Sequence, residues 1–343
     1  MNRIRRSQFS TAELPPQQRF ADWRDSIGTL FDVRTHSMQT DSAFRATLDN
    51  LLIDGQLMLT HCSTLAQRFE RSAYRAASDG LEHYLVQTHL SGEQQIRRGR
   101  RQTTVKPGNL LIIDLAEEHE AVSTDFSHLS LLVPRPLLAP LLNHANSQHG
   151  RVLPAGNPLV TLLVNHIITL ADVAERLGDD DAQQLVTPTL QLLAGSLNGA
   201  PDSVPEGTQA VHNSLFLQAR RYIASRLYGH ISLDALCAHL KCSPATLSRV
   251  FQPHHGVRSY IQEQRLRSAA RRLASQRDAH LRIVDIACES GFTSDAHFSR
   301  AFRRRFGLTP SDARHLRHDP LASDTDGASR ERDYERWVVD SLT

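Results

Sequence analysis

The sequence is poor in cysteine and has no long apolar run. Its 343 residues include four cysteines, and Cys62, Cys237, Cys242 and Cys288 form neither a C-x-x-C pair nor a zinc-type repeat. The nearest approach to a metal set, Cys237, His239 and Cys242, straddles a helical pattern and a turn, where small buried thiols account for it. No stretch of about 18 apolar residues occurs, so no membrane-spanning helix is expected. The opening MNRIRRSQFS lacks an apolar core segment, so no secretory signal is read. The expectation is a cytoplasmic protein with reduced thiols. No nucleophile–base pair or metal set is legible, so no catalytic residues, metal or cofactor are expected and the chain is not read as an enzyme.

Net charge is also nearly absent, a formal +2 over the whole chain. Its distribution is far from even. Residues 215–318 hold 18 basic and 7 acidic residues, a net of +11, whereas 1–214 carry −5 and 319–343 carry −4. A basic segment of this kind serves nucleic acid or another anionic surface.

The pattern along the chain predicts an α+β protein. Phe20, Trp23, Ile27 and Leu30 repeat at helical spacing across 15–31. From about 44 to 133, short runs such as FRATLDNLLI, QLMLTHCS and NLLIIDL alternate with turn signals at Asp54-Gly55, Asp79-Gly80, Ser91-Gly92 and Pro107-Gly108, as in an antiparallel sandwich or barrel. Two apolar-faced helices follow, over 158–177 and 183–197, joined by the acidic turn GDDD. The expected domains are 1–197, a linker over 198–210 rich in Gly, Pro and Ser, a helical region over 211–318, and a polar, disordered tail over 319–343.

Two helix-turn-helix patterns lie inside the basic segment. In ISLDALCAHLKCSPATLSRVFQPHHG (231–256), Ser243 caps a second helix with Pro244 at its first position. Leu247, Val250 and Phe251 face inward, leaving Ala245, Ser248 and Arg249 outside. In LRIVDIACESGFTSDAHFSRAFRRRFG (281–307), Gly291 makes the turn and Ser294 caps the next helix. Phe298, Ala301, Phe302 and Phe306 form its buried side, leaving Asp295, His297, Arg300 and Arg303 outside. A linking helix over 259–276 carries Arg265, Arg267, Arg271 and Arg272. Two short helices around a tight turn, the second displaying polar and basic side chains, match the B-DNA major groove.

On these residues, and above all on Gly291-Phe292, His297-Phe298-Ser299-Arg300, Phe302, Phe306-Gly307 and Pro310, the segment 215–318 resembles the DNA-binding domain of AraC/XylS transcription regulators. The resemblance implies double-stranded DNA as partner, with both second helices in successive major-groove segments about one helical turn (~34 Å) apart. By position, Ala245, Ser248, Arg249, Asp295, Ala296, His297 and Arg300 would lie over bases, with Arg249 and Arg300 as guanine readers. Ser299, Arg303, Arg304, Arg265, Arg271 and Arg272 would meet phosphates. Gln252-Pro253 departs from the family pattern, and Pro253 is expected to end the first recognition helix early.

The region 20–142 more loosely resembles the cupin-like, effector-binding barrel of the same regulators. A metal-dependent cupin enzyme would need a His-x-His pair; His83, His89 and Glu93 do not supply one, and the strand after Pro107-Gly108 has no histidine. The resemblance instead implies a pocket for a small organic effector, for which Leu85, Gln87, His89 and Leu111 are the candidates. It further implies an activator that contacts RNA polymerase and a homodimer formed through the helices at 158–177 and 183–197. The alternative is an N-terminal domain that only dimerises or binds a partner protein.

Overall fold

Alternation along the central strands distributes apolar residues to both faces of one sheet, and this decides the architecture of the N-terminal part. The computed structural model describes residues 4–35, 44–99, 101–199 and 206–316. These divide into two units, the first formed by residues before 73 and from 81 to 199, the second by 73–80 and 206–316.

The first unit contains β1 (Ile4–Ser10), α1 (Arg19–Ile27), β2 (Asp32–Thr35), β3 (Ala46–Ile53), β4 (Leu57–Thr64) and β5 (Gln67–Arg71). The chain passes through α2 (Ala73–Ser78), which belongs to the second unit. It returns with β6 (His83–Ser91), β7 (Gln94–Arg98), β8 (Arg101–Val105), β9 (Leu110–Asp114), β10 (His119–Ser123) and β11 (Phe126–Pro134). The short α3 (Arg135–Leu138), β12 (Arg151–Leu153), α4 (Pro158–Val173) and α5 (Asp179–Asn198) complete it. One sheet has the order β1-β3-β4-β11-β6-β9-β12 and the other β2-β5-β10-β7-β8.

Residues of one parity, including Leu59, Val86, Ile112 and Leu131, pack against α4 and α5 through Leu163, Ile167 and Leu193. Residues of the other parity, including Met58, Leu85, Ile113 and Leu132, pack against α1 and the five-stranded sheet through Trp23, Phe69 and Ile96. All five residues of β9 are consequently buried, which is why LLIID reads as a continuous apolar run rather than an alternating one. The result is three layers: helices, a seven-stranded sheet and a five-stranded sheet. The α+β class is as expected, but the strands fall into two separate sheets and not a closed barrel.

Polar clamps fix these layers. Trp23 Nε1 donates to Gln67 Oε1 at 2.8 Å in the buried interior. Arg135, 8% exposed, pairs with Asp114, donates to Asn146 Oδ1 at 2.5 Å and lies 5.0 Å from the Tyr84 ring centroid. Burial opposes that charge, yet Asp114, Tyr84 and Glu82 together outweigh it and raise the guanidinium above its ordinary range. At the turn after β6, Gly92 adopts φ +75°, and a Cβ there would lie 2.2 Å from the Asp125 carbonyl oxygen. Only glycine fits that turn.

Several boundaries differ from the sequence expectation. The N-terminal helix begins at Arg19, after the two prolines, and ends at Ile27. Of GDDD only Gly178 lies between the helices: α5 begins at Asp179, and Asp181 in its first turn accepts from the Gly178 amide at 3.0 Å. The expected linker is already helical from Glu206, while 200–205 and 317–343, which include the expected tail over 319–343, lie outside the described residues.

The second unit is helical: α6 (Glu206–Ser225), α7 (Leu233–Leu240), α8 (Pro244–Val250), α9 (Val257–Ala274), α10 (Ile283–Glu289), α11 (Asp295–Phe306) and α12 (Pro310–His315). One core gathers Phe216, Leu236, Leu247, Phe251 and Tyr260. The other gathers Leu266, Ile286, Phe298, Phe302 and Phe306, and Tyr74 of α2 inserts there. The Tyr74 hydroxyl donates to the Ala313 carbonyl at 2.8 Å.

Candidate nucleic-acid interface

The first helix-turn-helix is α7 followed by α8. Lys241 closes α7 in the left-handed conformation at φ 51°. The Ser243 hydroxyl then accepts from the Thr246 amide at 3.1 Å, and Pro244 occupies the first turn of α8. This satisfies an amide that has no partner within the helix. Leu247 and Val250 point into the core, so Ala245, Ser248 and Arg249 are left exposed. The helix ends at Val250, and Gln252–His254 form a 3₁₀ turn containing Pro253. The recognition helix is therefore only seven residues long.

The second unit of the motif is α10 followed by α11. Gly291 adopts φ +82°, Ser294 caps α11 by accepting from the His297 amide, and Gly307 terminates it in the left-handed conformation. Phe298, Ala301, Phe302 and Phe306 form the buried side. Phe298 and Phe302 ring centroids lie 5.5 Å apart, and Phe302 and Phe306 lie 4.6 Å apart. The opposite side exposes Asp295, Ala296, His297, Arg300, Arg303 and Arg304, with Ser299 half-buried beside them. A guanidinium one turn beyond a capped N-terminus has the reach and the fork of donors that a guanine edge requires.

The arginines of α9 do not share one role. Arg271 is exposed. Arg265 departs from the expectation: its Nε donates to the Leu227 carbonyl at 2.9 Å, Nη1 to Gly291 at 3.0 Å and Nη2 to Gly229 at 2.6 Å. These bonds use its guanidinium to join the turn after α6 to the second motif's turn. Arg272 likewise bonds Asp278 at 3.2 Å and Glu289 at 2.5 Å, which holds α9 to the start and end of the α10 region.

Another clamp is absent from the sequence reading. Glu263 accepts from Arg267 at 2.8 Å and from Arg305 at 2.9 Å, tying α9 to α11. Burial alone would raise its carboxyl, but Arg267 and then Arg305 outweigh it and hold it below the usual range. The legible signal was the helical spacing of Glu263 and Arg267; Arg305 lies 42 residues from its partner. Arg305 faces inward, so the arginine cluster at 303–305 divides into two exposed cations and one structural one.

The first unit has a cavity between its sheets. Leu85 and Gln87 line it. Leu111 lies in the same core but is not among the lining residues, and His89 packs its ring 5.6 Å from His128 and from Phe126. Gln94, His119, His128 and Ser130 also line the cavity, and sequence reasoning missed all four. Among the described residues no group of three or more His, Cys, Asp or Glu side chains could hold a metal ion.

Comparisons with known proteins match both units. A helix-turn-helix domain profile matches residues 236–315, and an AraC-binding-like domain profile matches residues 23–198. The chain is 26% identical over 259 residues to the transcriptional activator NphR of Rhodococcus sp, covering 73% of this chain and 76% of that protein. It is 24% identical over 251 residues to the arabinose operon regulatory protein of Salmonella typhimurium, covering 68% and 84% respectively. The crystal structure of the AraC-like transcriptional activator CuxR matches at 26% identity and a TM-score of 0.54, covering 83% of this chain and 100% of that one. With a domain profile spanning just over half its length and two capped recognition helices in its basic segment, the chain belongs to the AraC family of DNA-binding transcription regulators.

Proposed function

We propose that the protein is an effector-responsive transcription activator that reads DNA with α8 and α11. The carrying observation is the pair of short, serine-capped helices, each with one side in a phenylalanine-containing core and the other exposing small, polar and basic residues. Ala245, Ser248 and Arg249 would read one major-groove segment, and Asp295, Ala296, His297 and Arg300 the next. Ser299, Arg271, Arg303 and Arg304 would meet phosphates and set the register. Arg265 and Arg272, whose guanidinium groups already bond within the second unit, are left out of the proposed phosphate contacts.

The cavity between the sheets is the proposed effector site, and no enzymatic role is assigned to it. The effector shifts transcription only insofar as its affinity differs between two arrangements of the protein. The activator reading, with RNA polymerase as protein partner, rests on the relatives named above and on the family. A homodimer through α4 and α5 is part of the proposal, supported by Leu159 and Leu162 of α4, which are 38% and 57% exposed. A cytoplasmic location accords with the work of such a regulator, and no described helix is long and apolar enough to cross a membrane.

The test is selection of binding sites from a random duplex library by the full-length protein. The expected outcome is enrichment of two short sequence blocks about one helical turn apart. Recovery of DNA with no common sequence would contradict the reading.

A further inference from the structure

The cavity of the first unit has a polar band built into an otherwise apolar core. Thr60 on β4, Ser130 on β11 and Gln87 on β6 stand opposite one another in register, and all three line the space. Asn50 on β3 extends this row, accepting from the Thr60 hydroxyl at 2.7 Å. His128, also on β11, approaches Gln87 at 3.4 Å. The five-stranded sheet contributes His119 and Gln94 to the same lining.

Gln87, Gln94, His119 and His128 are only 6%, 5%, 5% and 8% exposed. Even so, Gln87 Oε1, His119 Nε2 and His128 Nδ1 have no hydrogen-bond partner among the described residues, while Gln94 interacts with the His89 ring. Buried polar atoms are ordinarily paired, because leaving them unpaired costs folding free energy. Three such atoms lie on residues that line one cavity, where a bound molecule can meet all of them.

The lining also restricts the charge of that molecule. No Lys, Arg, Asp or Glu is among the lining residues. Burial lowers both His119 and His128 to about 3, so each imidazole is neutral near pH 7. A carboxylate or an ammonium entering here would lose its hydration without a counter-charge in the lining; the buried Arg71 behind it, whose charge acts on His119, already donates to the Leu30 and Leu115 carbonyls. The two glutamine oxygens can only accept, and a neutral imidazole offers one donor and one acceptor. Trp23, Phe31, Leu85 and Ile113 supply apolar wall, as small-molecule sites require.

We infer that this cavity binds an uncharged, mainly apolar small molecule carrying at least one hydroxyl or N–H group. The donor of that group meets the Gln87 oxygen, and its acceptor meets an imidazole N–H of His119 or His128. The inference rests on the effector reading above and adds the effector's chemical class.

Three probes of one skeleton test it on the full-length protein at pH 8: 2-phenylethanol, ethylbenzene and phenylacetate, each titrated by calorimetry and by thermal midpoint. The alcohol is expected to bind about tenfold tighter than either analogue, the range that one desolvated polar match supplies. In Gln87→Leu and His128→Phe the alcohol's advantage over ethylbenzene is expected to disappear while ethylbenzene still binds, which shows that the cavity has survived the substitution. Phenylacetate binding as tightly as the alcohol would overturn the assigned class and leave the effector reading intact. Ethylbenzene matching the alcohol in the wild-type protein would overturn polar recognition. Failure of all three to bind would overturn the site. In that event, a small-molecule cell extract that still changes DNA affinity preserves the effector reading, and one that does not ends it.

Discussion

Arg265 Nη1 donates to the Gly291 carbonyl at 3.0 Å, so the linking helix α9 holds the turn of the second helix-turn-helix directly. The same guanidinium reaches Leu227 and Gly229, and a Cβ added to Gly291 would lie 2.8 Å from Arg265 Cζ and Nε. Arg265→Ala leaves three carbonyls without this donor and is expected to destabilise the protein by about 2 kcal/mol. Lysine should not rescue it, because one ammonium lacks the planar fork. Gly291→Ala is expected to cost about 1–3 kcal/mol from the φ of +82° alone. Removing Arg265 relieves the clash, so the two losses should be less than additive in a double-mutant cycle read by denaturant unfolding.

The buried histidines set a pH dependence for the first unit. Burial lowers His83 to about 4 and His119 and His128 to about 3, with His149 adding to the effect at His119 and His89 at His128. In the unfolded chain each imidazole titrates near 6.5. Below that value the unfolded state binds more protons than the folded state, so stability falls with falling pH across the window from about 6.5 to 3–4. Each such group contributes up to about 1.4 kcal/mol per pH unit while the difference persists. The thermal midpoint should therefore be flat above pH 7 and decline below pH 6. His128→Phe should flatten the decline; an unchanged slope in that variant would contradict the assignment.

The helices over the outer face of the seven-stranded sheet supply the dimer prediction. Leu162 is 57% exposed, while Leu163 and Ile167 of the same helix are buried against the sheet. Leu162→Glu should leave the fold intact and lower the sedimentation mass from twice 38.4 kDa to 38.4 kDa at micromolar protein. A wild-type protein that already sediments at the single-chain mass would remove this interface from the account.

What was legible in the sequence follows from where the determining interactions lie. The two recognition helices were legible because Ser243, Ser294, Pro244 and the Phe298–Phe302–Phe306 spacing act within a few residues. Strands β3, β4, β6 and β9 were legible because apolar side chains crowd them, whereas β1, at the sheet edge with Arg5 and Arg6 exposed, was hidden in polar sequence. The cavity's polar band was not legible, because it exists only once Thr60, Ser130 and Gln87 are brought into register from three strands. The same holds for Arg265, whose carbonyl partners lie 26 to 38 residues away. It holds more strongly for Tyr74, which joins the core of the second unit 239 residues from Ala313.

Base reading by Arg300 is the central claim, and one comparison of affinities tests it most directly. Using the duplex recovered by selection, binding is measured for wild type, Arg300→Ala and Arg303→Ala across a salt series, on the selected site and on single-base variants. Arg300→Ala is expected to lose about 1–3 kcal/mol on the selected site and to become indifferent to one base pair. Arg303→Ala is expected to weaken all duplexes alike and to reduce the salt slope by about one. An Arg300→Ala protein with unchanged affinity and unchanged base preference would contradict the account.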